Sequence, residues 1–306
     1  MKRPVLLFAV LLCCSVGASS DAPKRPPILG IAGVRIAAPR EAGFYTKQLG
    51  FNAEGEICGG ACFTRLGVNA HQRIELVDRD PIDPRTTKPR ASYLDQIVFE
   101  TSDIEALHRY LQSRGVETGD ILSFDANGAN PQFGMDDPEG HAIGFMRWKG
   151  PDAYRHSESQ ASAHLIHAGV VVHDRAAMDR FYKDILGFRP YWHGGMKDDQ
   201  TDWVSMQVPD GVDWLEFMVN VAPDADQRVR GIMNHIAIGT TDIHAAQKKL
   251  VDNGAKLTEQ PKIGRDGKWQ LNLYDPDDTR VEFMEFTPTQ KPCCSEFTGP
   301  HPGPQQ

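Results

Sequence analysis

Two histidines and two glutamates recur at nearly one spacing in the second half of the chain. His167 opens the apolar run HAGVVV, and Glu216 follows in LEFM, 49 residues on. His235 opens HIAIGTT, and Glu282 follows in VEFMEF, 47 residues on. A histidine early and a glutamate late in each of two equal segments make a mixed nitrogen and oxygen donor set. Such a set suits one divalent metal (zinc, nickel, cobalt, manganese or iron) and not calcium or a thiolate-seeking ion. A metal that accepts more than four ligands keeps room for water or for a substrate with two oxygens, and polarises them as a Lewis acid. Taken singly, each residue has an ordinary reading: a histidine opening an apolar strand is usually capped, and a strand glutamate usually faces water. The matched spacing of both pairs sets these four apart as candidate metal ligands. Glu216 and Glu282 also qualify as catalytic acid/base groups.

Strand alternation says what should surround them. Residues two apart share a face, so His167 brings Gly169 and Val171 with it. Glu216 brings Trp214 and Met218, and Glu282 brings Arg280 and Met284. The result is a cleft walled by aromatic and sulfur-bearing side chains around a few polar groups, the usual make-up of a small-molecule site. His193, in YWHGG, is a further candidate acid/base at the cleft. Trp269 and Asn272 lead into the last hairpin as possible lining, while Tyr274 reads as core. His164 lies three residues before His167 and belongs to the opposite face. His71, His141 and His244 read as surface residues, and the acidic run Asp198 to Asp202 as a solvated turn.

The elements that must position these residues form a fourfold repeat. One copy runs from Ile31 (IAGVRIAAPREAGFYTKQLGF) to HQRIELV with Glu75, and the next from Gln96 to the apolar run around Gly144. The third and fourth copies carry the two histidine–glutamate pairs. Each reads as strand, helix, then about three strands. Copies one and three share FY…LGF, where Gly50 and Gly187 supply the left-handed residue of a helix C-cap. Copies two and four share a T-x-D-I helix start with Asp103 and Asp242 as N-caps. Both also end on a Pro-led acidic hairpin, Asp137-Pro138 and Asp275-Pro276.

Charge and composition exclude several classes of partner. Lys2 and Arg3 precede an apolar core from Val5 to Leu12 and then small residues, the layout of a secretory signal peptide over residues 1–20. That core is too short for a permanent membrane span. Loss of Lys2 and Arg3 takes the formal charge from −8 to −10, which disfavours nucleic acid and anionic membranes. The expected product is exported, periplasmic or secreted, and acts on a small molecule. Four cysteines remain: Cys58, Cys62, Cys293 and Cys294. In an oxidising compartment they allow two disulfides, with Cys293 and Cys294 expected to pair with Cys58 and Cys62 because adjacent cysteines rarely bond each other. A four-thiolate zinc site is the competing reading.

The repeats HAGVVV…FYKDILGF and NHIAIGTTDI…LYDPDDTRVEF resemble the vicinal oxygen chelate superfamily, which includes glyoxalase I, extradiol dioxygenases and bleomycin resistance proteins. The resemblance runs over roughly residues 30 to 287. It implies an α+β fold of four βαβββ modules forming two paired half-barrel domains. These would be residues 28–150 and 163–288, with a linker at 151–162 and a Pro/Gly/Cys-rich tail at 289–306. It also implies metal ligands at His167, Glu216, His235 and Glu282. The matching N-terminal positions hold Ile31, Glu75, Gln96 and Gly144, so that half should bind no metal. The four-ligand set points first to a glyoxalase-like lyase or isomerase working through a metal-chelated enediolate. Four-module architecture points instead to an extradiol dioxygenase with ferrous iron, although Glu216 and Asn272 stand where that group has its acid/base histidine and a tyrosine. A metal-free binding protein is the third reading.

Overall fold

The computed structural model describes residues 23–41, 43–58, 62–78, 92–123, 130–148 and 157–304. The expected signal peptide lies outside these residues. Among the described residues no helix is long and apolar enough to cross a membrane.

The repeats build two curled sheets. The first joins seven strands in the order β2-β3-β4-β1-β5-β7-β6, and the second eight in the order β13-β14-β15-β12-β8-β11-β10-β9. In the first sheet the strands are β1 (Ile28–Ala37), β2 (Asn52–Cys58), β3 (Cys62–Gly67), β4 (Arg73–Val77), β5 (Leu94–Thr101), β6 (Gln132–Asp136) and β7 (Ala142–Met146). In the second they are β8 (Leu165–Val171), β9 (Arg189–Gly194), β10 (Trp203–Gln207), β11 (Trp214–Met218), β12 (His235–Thr240), β13 (Lys262–Ile263), β14 (Trp269–Tyr274) and β15 (Arg280–Glu285). The opening strands of two modules meet antiparallel at the centre of each sheet, β1 with β5 and β8 with β12. Each opening strand then pairs in parallel with the last strand of its own module: β1 with β4, β5 with β7, β8 with β11 and β12 with β15. Among the described residues the second module has two strands after its helix and a single bridge, Leu122 to Gln132, where the repeat predicts about three strands.

Central strands β8 and β12 are buried along their whole length. Such strands must be nearly all apolar, so a buried histidine in each, His167 and His235, stands out. The caps follow local chemistry. Asp103 accepts from the Ala106 N–H at the start of α1 (Ile104–Ser113), and Asp242 accepts from His244 and Ala245 at the start of α4 (Ile243–Asp252). Gly50 and Gly187 take φ of 82° and 79° as the caps require. The FY segments wind more widely than α-helix: Leu49 N–H donates to Phe44 O, and Leu186 N–H to Phe181 O, five residues back.

Those shared motifs lock the two halves together. Tyr45 of the first module donates to Asp275 of the fourth at 2.8 Å, and Tyr182 of the third donates to Asp137 of the second at 3.2 Å. Burial first, then the facing aspartate, raises both tyrosines well above their ordinary pKa, so both keep the proton they donate. Phe99 meets Phe188 edge-on at 5.4 Å, inside one apolar core that draws on both sheets.

The cysteines depart from expectation. Cys293 is bonded to its neighbour Cys294, and Cys62 is disulfide-bonded as well, so the bridge from the tail to the first sheet does not form. The side chain of Cys58 lies outside the described residues, although its backbone is in register with Cys62. Cys294 adopts φ of 70°, in the left-handed region. Tail residues lie along β9, where Thr298 N–H donates to Tyr191 O, and Ser295 bonds to both backbone groups of His193.

Candidate metal centre

Strand register brings the two histidines together. On β8 and β12 the paired residues are His235 with Gly169 and Ala237 with His167, a diagonal offset that leaves both imidazoles on one face. Their Nε2 atoms stand 3.0 Å apart with the rings at 89°. Gly169 makes this possible, because a Cβ there would lie 2.0 Å from Cε1 of His235. Glu282, on β15, is one step further along the sheet. Its Oε2 is 3.8 Å from Nε2 of His167 and 3.7 Å from Nε2 of His235. The three donor atoms lie within 4.8 Å of one another, all on buried residues.

The surroundings prepare these groups for a cation. His235 Nδ1 meets the Met233 carbonyl at 2.9 Å, a bond that places the proton on Nδ1 and turns the Nε2 lone pair to the centre. Trp214 packs its ring 4.7 Å from that of His167. Burial, then the charge of Arg280, lowers both histidines well below their ordinary pKa. Neutral imidazoles are what a metal needs. Burial raises Glu282 to about 7, with Arg280 opposing the rise. Burial and then the charge of Glu282 raise Glu216 to about 8. Two neutral nitrogen donors and a carboxyl thus converge on one buried point, and a divalent ion fits there.

Glu216 stands at the edge of this cluster. Its Oε2 is 3.5 Å from Nε2 of His235, but it lies outside the mutual distance that joins the other three. Three of the four expected ligands therefore meet, and the fourth flanks them. A cavity of about 300 Å³ opens over Glu216 and Glu282, with Asn272 and Arg280 on its floor and Trp192, Trp203 and Met284 in its walls. Asn272 donates to Glu259 through Nδ2 at 3.1 Å, while its Oδ1 is buried with no hydrogen-bond partner.

Other candidates fall elsewhere. His193 is exposed, and it borders a separate groove with Ser295 and Glu296. Alternation along β9 points its neighbour Trp192 into the cavity and His193 away, so it is not brought to the metal centre. His164 is buried on the opposite face, at 2.9 Å from Asp213 and 2.6 Å from the Gly303 carbonyl. Tyr274 is half-buried and bonds Glu259 at 2.6 Å. His71 and His244 are exposed, and His141 bonds Asp137 at 2.8 Å.

Lys268 escapes sequence reasoning altogether. It is fully buried, with Nζ 4.7 Å from the Trp214 ring, 5.1 Å from Phe297 and 5.6 Å from Tyr191. Burial lowers it to about 8 against the charges of Asp266, Glu282 and Glu216. Its aromatic box takes Phe297 from the tail, so no local pattern around Gly267-Lys268-Trp269 marks it.

The N-terminal sheet shows what the same positions become without a metal set. Register on β1 pairs Gly33 with Arg73 and Val98, and Arg35 with Glu75 and Gln96. The matching pairs on β8 are His167 with Trp214 and Ala237, and Gly169 with Glu216 and His235. The counterpart of His167 is therefore Gly33, not Ile31 as the aligned repeats suggest, because β1 slips register before Gly33. Glu75 matches Glu216, Gln96 matches His235, and Gly144 matches Glu282. Arg35 takes the place of Gly169 and reaches Glu75 at 2.9 Å, with Arg73 at 2.9 Å and Arg65 at 3.4 Å from the same carboxylate.

Comparison with known proteins agrees with the repeat. The model of the Glyoxalase/Bleomycin resistance protein/Dioxygenase superfamily matches residues 38–145 and again residues 164–283. Comparison with curated proteins by sequence finds no match. Among solved structures, a variant of homoprotocatechuate 2,3-dioxygenase from B. fuscum in complex with HPCA is similar, with TM-score 0.63 and 19% identity, over 92% of this chain and 75% of that one. The 2,3-dioxygenase LapB from Pseudomonas sp. KL28 is similar with TM-score 0.62 and 18% identity, over 92% of this chain and 94% of that one. Homoprotocatechuate 2,3-dioxygenase from Arthrobacter globiformis gives TM-score 0.59 and 17% identity, over 86% and 80%. At these identities the likeness is one of fold.

Proposed function

Because the chain belongs to the Glyoxalase/Bleomycin resistance protein/Dioxygenase superfamily, we propose that it is a metal-dependent enzyme of the ring-cleaving dioxygenase type, acting on a small aromatic substrate with two adjacent oxygens. The observation that carries this reading is the three-member cluster of His167, His235 and Glu282, with Glu216 beside it rather than in it. Two histidines and one carboxylate with open positions are the donor set of non-haem ferrous oxygenases. A divalent ion held there supplies positive charge and free positions for two substrate oxygens.

The chain's own residues do the rest. Glu216, raised to about 8, holds a proton near neutral pH and can exchange it with a substrate hydroxyl, which is how a general acid/base is tuned. Asn272 offers its unpartnered Oδ1 to the same hydroxyls. Trp192 and Trp203 line the cavity and offer flat surfaces to an aromatic ring. Export remains part of the proposal: it rests on residues 1–20 and is supported by the Cys293–Cys294 bond, which suits an oxidising compartment.

A second reading, a glyoxalase-like lyase or isomerase, is favoured by one distance. Glu216 Oε2 lies 3.5 Å from His235 Nε2, near enough to become a fourth ligand by a side-chain rotation. Elemental analysis of protein purified without added metal separates the two. Iron, with oxygen uptake on catechols, supports the first reading; zinc, nickel or cobalt with no oxygen uptake overturns it. Glu216→Ala that keeps its metal but loses turnover makes Glu216 the acid/base, and lost metal makes it a ligand.

A further inference from the structure

We propose that the substrate carries an anionic group, a carboxylate in the simplest case, which Arg280 receives at the floor of the cavity. The inference rests on reading that cavity as the substrate site, and it adds a requirement the metal triad does not impose.

Arg280 opens β15 two residues before Glu282, so strand alternation puts both on one face, and both line the same cavity as Glu216. Its Nε is buried without a hydrogen-bond partner, and among the described residues no carboxylate lies within ion-pair distance of it. The other cations that line the cavity, Lys262 and Arg265, are already matched. Lys262 bonds Glu259 at 2.9 Å, and Arg265 bonds Asp198 and the Gly195 carbonyl. Lys268 Nζ also has no hydrogen-bond partner, but it is enclosed by its aromatic box and does not line the cavity.

A charge count then isolates Arg280. A divalent ion on His167, His235 and Glu282 takes up the Glu282 carboxylate, which is then not free to pair with Arg280. One guanidinium is left over beside a dication. A buried donor without an acceptor is costly, and two adjacent positive centres make it more so. A carboxylate on the substrate removes both penalties, since the guanidinium fork accepts it through two parallel hydrogen bonds. The substrate class is thus a flat apolar body, suited to Trp192 and Trp203, bearing two neighbouring oxygens and an anionic group.

The test separates anion from chelating oxygens by using probes that have one and not the other. Phenylacetate, its neutral analogue phenylacetamide, and 4-methylcatechol are each titrated into the metal-loaded protein without oxygen, following fluorescence of the cavity tryptophans. Phenylacetate is expected to bind at least about tenfold more tightly than phenylacetamide, the size of one charge-assisted hydrogen-bond pair. In Arg280→Gln this preference should vanish, and in Arg280→Lys part of it should return, while 4-methylcatechol changes by less than about twofold in both. Equal binding of phenylacetate and phenylacetamide to the parent protein overturns the proposal, and this arm needs no variant to fold. A preference that survives in Arg280→Gln overturns it too, as does an equal loss of 4-methylcatechol. Binding of 4-methylcatechol that is indifferent to His235→Ala sinks the metal-site reading and leaves the anion result standing.

Discussion

Glu75 and Glu216 occupy the same place in the two halves, yet they behave in opposite ways. Burial pushes both carboxyls up. Around Glu75, the charges of Arg73, Arg35 and Arg65 outweigh burial and hold it at about 2. Around Glu216, burial is joined by the charge of Glu282, and it reaches about 8. One half has filled its cup with guanidinium groups that neutralise its own acid. The other has kept the cup lined with neutral imidazoles and raised carboxyls that wait for a cation. One of the exchanges that separate them is Gly169 against Arg35, since an arginine at 169 would fill the space that the His235 ring needs.

The sharpest way to break this contrast is to remove a donor from each cup. His235→Ala is expected to weaken metal retention by more than about a hundredfold, as loss of one of few ligands should, whereas Gln96→Ala leaves it unchanged. Metal content per chain after dialysis against a mild chelator measures both, and equal losses would mean the N-terminal cup also holds metal.

Next in size comes Glu75→Gln. It leaves three arginines facing one another and should destabilise the fold by about 3 kcal/mol at neutral pH, the scale seen when a buried pair loses one partner. The sign of its pH dependence follows from a depressed carboxyl. The contribution is fully present above the unfolded value of 4.5 and is lost as pH falls towards about 2. Urea unfolding of parent and variant between pH 6 and pH 2.5 should show the gap closing with acid.

In the metal-free protein Glu216→Gln should do the reverse. The native state holds a proton that the unfolded chain releases between pH 4.5 and about 8, so the parent loses stability as pH rises through that window. The variant is then expected to be more stable than the parent by an amount on the order of 2 kcal/mol at pH 8 and no different near pH 4. A thermal melt at both pH values checks it, and a variant less stable at pH 8 would overturn the reading of Glu216.

The smallest expected effects test the seam between the halves. Tyr45→Phe and Tyr182→Phe each remove one buried hydroxyl from an aspartate, and each should cost about 1–2 kcal/mol. Their near equality, read by chemical unfolding, would reflect the internal symmetry of the seam. A large inequality would mean that the two contacts carry different loads.

Much of this architecture was legible in the chain. The repeats, the N-caps Asp103 and Asp242 and the cap glycines Gly50 and Gly187 are set by local chemistry, and they fall where the residues say. His167, His235 and Glu282 were recognisable because equal modules must place equal positions together. The failures share one cause. His193 pointed outward because β9 turns Trp192 inward. Ile31 was the wrong counterpart of His167 because a register slip in β1 is invisible to aligned repeats. Cys293 bonded its neighbour rather than the first sheet, and Lys268 entered a box closed by tail residues.

From sequence alone came the residue types, their periodicity and the identity of three converging donors, because strand alternation and repeat length act over short stretches of chain. Tertiary structure decided that Glu216 flanks the cluster, that Arg280 is left without a partner among the described residues, and that arginines surround Glu75 in the other half. Those outcomes depend on which side chains from remote strands reach one buried point, and on how far burial there shifts each proton.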